Sequence, residues 1–106
     1  MKLTVTEADV RGARRCEASN CPVARAFKRV TGKTCAVFPD AGEWKVMLLE
    51  AERLMYYTLS REQADMIRLF DETGTFMTGE LHLKLVGAEV PCFLQSFNDA
   101  AKPAVR

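Results

Sequence analysis

The 106-residue chain reads as an α+β domain. The expected form is a small, mostly antiparallel sheet of about four to six strands with two main helices packed on one face. Three observations point there. Residues 22–32 and 60–74 each carry both a helix start and a helix stop signal. The segment "ELHLKLV" (80–86) alternates apolar and polar side chains with the period of a half-buried strand. Between the two helices lie β-prone segments, "TCAVF" and "LMYYTL", the first closed by the turn signal "PDAG".

Taken in order, "LTVT" turns Leu3 and Val5 to one side and reads as a short strand. "TEAD" follows with the form of a capping box, Thr6 as N-cap and Asp9 in the place of Glu or Gln, and Gly12 stops the turn. Residues 13–20 are polar loop. A helix then runs from Pro22 to Thr31, because proline suits the first helical position and Gly32 supplies a left-handed residue after the last. Its Val23, Phe27 and Val30 share one face, with Ala26 beside them, and Arg25, Lys28 and Arg29 share another. "TCAVF" (34–38) is a strand.

Residues 44–59 fit two readings. As a helix, Trp44, Leu48, Ala51 and Met55 align; as a hairpin, the turn falls near Glu50–Glu52, and the β-prone end tilts the choice toward the hairpin. A second helix begins at Ser60 as N-cap with Gln63 as its reciprocal partner, buries Met66, Ile67 and Phe70, and ends before Gly74. Strand 80–86 directs Leu81, Leu83 and Leu85 inward. "VPCFLQSF" (90–97) reads as an edge strand, since Pro91 has no N–H for a ladder. The tail from Asn98 to Arg106 is expected to be loosely ordered.

Length and composition make this one globular domain over residues 1–106, with 48% apolar and 27% charged residues. No apolar run reaches the length of a membrane span, and the first residues lack the apolar stretch of a signal peptide. The expectation is a cytoplasmic protein, with no membrane role, whose four cysteines are thiols. The net charge of +1 conceals an asymmetry. Residues 1–33 hold eight basic and three acidic side chains, the remainder seven and eleven.

Those first residues supply the main binding candidate. Arg25, Lys28 and Arg29 form a basic face, with Lys33 beyond it and Arg11, Arg14 and Arg15 before it. Such a patch suits nucleic acid or a nucleotide, although no aromatic residue is interleaved with it for base stacking. Cys16 and Cys21 have the spacing of a zinc half-site, with Cys35, His82 and Cys92 as scattered further ligands, but no second paired spacing exists. The expectation is therefore no metal and no cofactor, the cysteines serving as small apolar residues.

Cys21 at a helix start resembles an activated thiol, yet the lone His82 alternates with leucines instead of offering a base. No phosphate loop, paired-histidine motif or nucleophile elbow occurs, and the chain is expected not to be an enzyme. Trp44, Met47, Met55, Tyr56 and Tyr57 are of the types enriched in protein interfaces, with half of them expected in the core.

Taken together, "LTVTEADVRG…CPVARAFKRVTG" and "YYTLSREQADMIRLFDETG" resemble a family of small bacteriophage and prophage proteins to which no activity attaches. The resemblance rests on Thr6, Asp9, Val10 and Gly12 (one residue short of the family's spacing), on Cys21, Pro22, Val23, Ala24 and Ala26, and on Tyr57, Leu59, Ile67, Phe70 and Asp71. Ser60 stands where the family has proline, and both begin a helix. It implies the two-helix α+β fold, a hairpin at 44–59 and a phage origin. It also implies a protein that works in the infected cell by binding a host or anti-phage-defence protein, as a monomer or a homodimer.

Overall fold

The computed structural model describes residues 1–40, 42–50 and 53–89. The strand expected at 90–97, Cys92 and the tail from Asn98 lie outside the described residues. The chain forms β1 (Lys2–Val5), α1 (Glu7–Arg11), α2 (Pro22–Thr31), β2 (Cys35–Asp40), β3 (Glu43–Glu50), β4 (Arg53–Thr58), α3 (Arg61–Thr73), β5 (Gly79–His82) and β6 (Lys84–Glu89). The architecture is α+β, but its strands make two antiparallel sheets where one was expected. One holds β1 and β5; the other has the order β2-β3-β4-β6.

Local signals account for the helix ends. Thr6 accepts from the Asp9 N–H and its own N–H donates to Asp9 Oδ2 at 2.9 Å, which completes the capping box of α1. Ser60 and Gln63 do the same for α3. In α2 the N-cap is Cys21, whose sulfur accepts from the Ala24 N–H, with Pro22 inside the first turn. Gly32 and Gly74 close α2 and α3 with left-handed φ of 74° and 79°, a region where a Cβ is costly.

Gly12 also ends its helix, but its φ of −85° is ordinary. A Cβ there would lie 2.1 Å from Nη2 of Arg25, so a side chain at this position displaces that guanidinium and its hydrogen bond to the Asp9 carbonyl.

Residues 44–59 are a hairpin: Lys45 pairs with Thr58 and Glu50 with Arg53. The strand expected at 80–86 is two. Leu81 pairs with Leu3 in the small sheet, Leu85 with Tyr57 in the large one. Leu83 lies between them, and its N–H donates to the carbonyl of Met1 at 2.8 Å. The alternation is correct as far as Leu83; Leu85 is 47% exposed, because the chain has passed to the rim of the other sheet.

The core forms where α2 and α3 cover one face of the four-stranded sheet and reach the small one. Phe27, Ile67 and Phe70 meet Val37, Val46, Leu48 and Tyr57, and Leu3, Val5, Leu81 and Leu83 join them. On β3 the alternation is visible, with Trp44, Val46 and Leu48 in this cluster and Met47 in a second, which it forms with Leu54, Phe38 and Tyr56. The large sheet is thus apolar on both faces.

Candidate functional site

Three cations of the basic first third of the chain, Arg15, Arg25 and Arg29, are spent on its own fold. Asp9, at the end of the α1 capping box, is 4% exposed. Arg29 reaches across from α2 and donates through Nε to Oδ1 at 3.2 Å and through Nη2 to Oδ2 at 3.0 Å. The same Nη2 donates to the Thr4 carbonyl at 2.6 Å. Arg25 donates through Nε to the carbonyl of Asp9 at 3.0 Å.

Burial pushes the Asp9 carboxyl up, but the hydrogen bonds from Arg29 and from Thr6 outweigh it and leave the group more acidic than an ordinary aspartate. Two of the three cations on the α2 face therefore fasten α1 to α2. Lys28 stays exposed, beside a shallow depression of about 380 Å³ lined by Ala8, Asp9, Arg25, Lys28 and Arg29.

Arg15 is also committed. Its guanidinium donates to the carbonyls of Asp71, at 2.9 Å, and of Glu72, the last turn of α3. Next to it Cys16 takes a left-handed φ of 59° and donates its N–H to Asp71 Oδ1 at 2.9 Å. Arg14 lies 3.9 Å from Glu17. Of the seven basic residues singled out, Arg11, Lys28 and Lys33 remain exposed with no partner among the described residues.

Two of the three described cysteines belong to the interior. Cys21 and Cys35 are buried and Cys16 is half-buried, and none of the three forms a disulfide. Burial, with Cys21 beside it, pushes the Cys35 thiol well above its ordinary value. Among the described residues no three His, Cys, Asp or Glu side chains converge to hold a metal. His82 is exposed on β5, with Nε2 3.1 Å from Glu80.

The aromatic cluster divides. Trp44 and Tyr57 are core residues, Tyr57 with its ring 5.7 Å from that of Phe27. Met55 and Tyr56 are half-buried on the two opposite faces of β4. Met47 is buried as well, and the surface expected of these five is thus reduced to two.

Two surface features were not foreseen. On β6, Tyr57 pairs with Leu85 and Tyr56 with Gly87, so Val86 is the extra residue of a β-bulge. Leu85 and Val86, consecutive in the chain, are 47% and 49% exposed. Where β3 begins, β4 ends and β6 begins, a groove of about 560 Å³ runs along the first two turns of α3. Arg61, Arg68 and Lys84 line it, with Glu43 its one acid among the described residues and Trp44 and Leu59 its apolar wall. These cations come from two elements, α3 and β6, in an otherwise acidic stretch, so no run of the sequence announces them.

The fold and these surfaces define a small α+β protein with a buried, internally paired polar cluster. Compared with family models, with curated proteins and with solved structures, the chain matches none.

Proposed function

We propose that this chain works stoichiometrically, by binding a protein, and that it carries no catalytic site. The observation that supports this reading is the adjacent pair Leu85 and Val86, both about half exposed on the rim of the large sheet. Apolar side chains set together on a rim are the ordinary material of a protein contact. The side chains most suited to chemistry are otherwise engaged: Asp9 with Arg29, Cys21 and Cys35 in the core.

The resemblance to phage proteins supplies the partner class, a host or anti-phage-defence protein met in the infected cell. The test is reconstitution. The chain is used to capture its partner from infected cells, the partner is identified and purified, and the complex is weighed by native mass spectrometry. A fixed stoichiometry that Leu85→Asp abolishes and Lys28→Glu leaves intact is the expected result. A complex indifferent to Leu85→Asp but lost in Lys28→Glu would overturn it in favour of the basic helix. The chain weighed as a complex with itself alone would overturn the host-partner reading in favour of a homodimer.

A further inference from the structure

We propose that the groove beside α3 binds an extended polyphosphate anion of the kind carried by nucleoside di- and triphosphates. The proposal does not rest on the protein-binding reading. Arg61, Ala64 and Arg68 are spaced i, i+3 and i+7, so they lie along one face of α3 and all line the groove. Ala64, 4% exposed, is small enough to leave a floor between the two arginines. The backbones of the two arginines are about 10 Å apart along the helix axis, two turns, so a chain of phosphates lying along the helix meets both. Lys84 enters from β6. Three cations spread in this way suit a chain of phosphates, each arginine offering a planar fork of donors.

The electrostatics agree. Among the described residues, Glu43 is the one acid in the lining. Arg61 and Lys84 have no ion-pair partner among the described residues. Arg68 is paired with Asp65 at 2.6 Å, but both side chains are more than half exposed, and such a pair exchanges at little cost. The first turn of α3 adds the positive end of its helix dipole. The groove's volume of about 560 Å³ lies in the range of small-molecule sites. Leu59, Val86 and the margin of Trp44 offer an apolar surface for a base.

The chain has one tryptophan, and it stands in this wall. Its fluorescence therefore reports occupancy directly. Inorganic tripolyphosphate and ATP, titrated at low salt, should each change the emission of Trp44 saturably, with matching heat in calorimetry. Adenosine should do neither. Tighter binding of ATP than of tripolyphosphate would identify a nucleotide as the source of the anion; equal binding would identify polyphosphate itself.

Arg61→Ser and Lys84→Ser should each weaken binding about tenfold, and rising salt should weaken it further. Lys28→Ser and Lys33→Ser should leave it unchanged. Both groove positions are exposed, and an unaltered urea midpoint confirms that the variants fold. Absence of saturable fluorescence and heat at millimolar probe overturns the proposal. So does affinity that survives Arg61→Ser and Lys84→Ser, or that falls in Lys28→Ser. A chain that captures its partner but no polyphosphate refutes this site alone.

Discussion

Asp9 is the buried acidic side chain among the described residues: its carboxylate accepts from Thr6 and Arg29, its carbonyl accepts from Arg25, and Arg29 in turn donates to the Thr4 carbonyl at the end of β1. Its folded pKa lies below the ordinary value of 3.8. A depressed carboxylate pKa contributes stability that is complete above the unfolded value, about pH 4, and disappears as pH falls through the folded one. Asp9→Asn should therefore be less stable than the parent at neutral pH. The difference in urea midpoint should shrink below about pH 4, where the parent carboxyl is itself protonated. A difference constant down to pH 2 would show that packing, not charge, is what the substitution disturbs. Thr6 and Asp9 were legible as a capping box because both partners lie within one turn. The arginines were not, because their acceptor lies 16 to 20 residues earlier. A cation on a helix looks the same in sequence whether it faces water or a neighbouring helix.

Among the elements, α3 shows the same division between near and distant signals. Its start is sealed by Ser60 and Gln63 and its end by Gly74, all readable from spacing. Its last turn contains no basic residue, and the cation that complements that end comes from the loop before α2. Arg15 lies 56 residues away and donates to the Asp71 carbonyl. Arg15→Ala should cost about 1 kcal/mol and speed amide exchange in the last turn of α3 ahead of the rest of the helix. Equal acceleration along all of α3 would mean that Arg15 supports the element as a whole. The hairpin of β3 and β4 was favoured because of its β-prone second arm, and the pairing of Glu50 with Arg53 puts its reversal within the expected stretch. The division of 80–86 was hidden, because alternation records which side chains turn inward and says nothing of which sheet they join.

In the whole molecule, one principal core joins both sheets to α2 and α3, and Phe27 is central to it at 0% exposure, with Tyr57 against its ring. Phe27→Ala should cost about 3–5 kcal/mol. That is a large part of the roughly 5–15 kcal/mol available to a domain of this size. Thermal or urea unfolding checks it, and a loss below about 1 kcal/mol would mean that the two sheets do not share their stability. The overall charge pattern misled for a related reason. Arg15, Arg25 and Arg29, which lie in residues 1–33, are folded against the Asp9 carboxylate and backbone carbonyls. The exposed positive groove is assembled from Arg61, Arg68 and Lys84, in the half of the chain where acids outnumber bases. Charge along a sequence and charge across a surface coincide only where consecutive residues stay neighbours in space.

The lock between α1 and α2 also constrains descent. Asp9 without Arg29 leaves a carboxylate in the interior with its strongest donor gone. A side chain at position 12 meets the guanidinium of Arg25. Mutations at positions 6, 9, 12, 25 and 29 are therefore tolerated jointly and penalised singly. Distant descendants of a common ancestor should either keep Thr6, Asp9, Gly12, Arg25 and Arg29 as a set or have exchanged several of them together. The rest of the surface is free to diverge until overall likeness is lost. Those five spaced positions should mark kinship better than percentage identity along the chain.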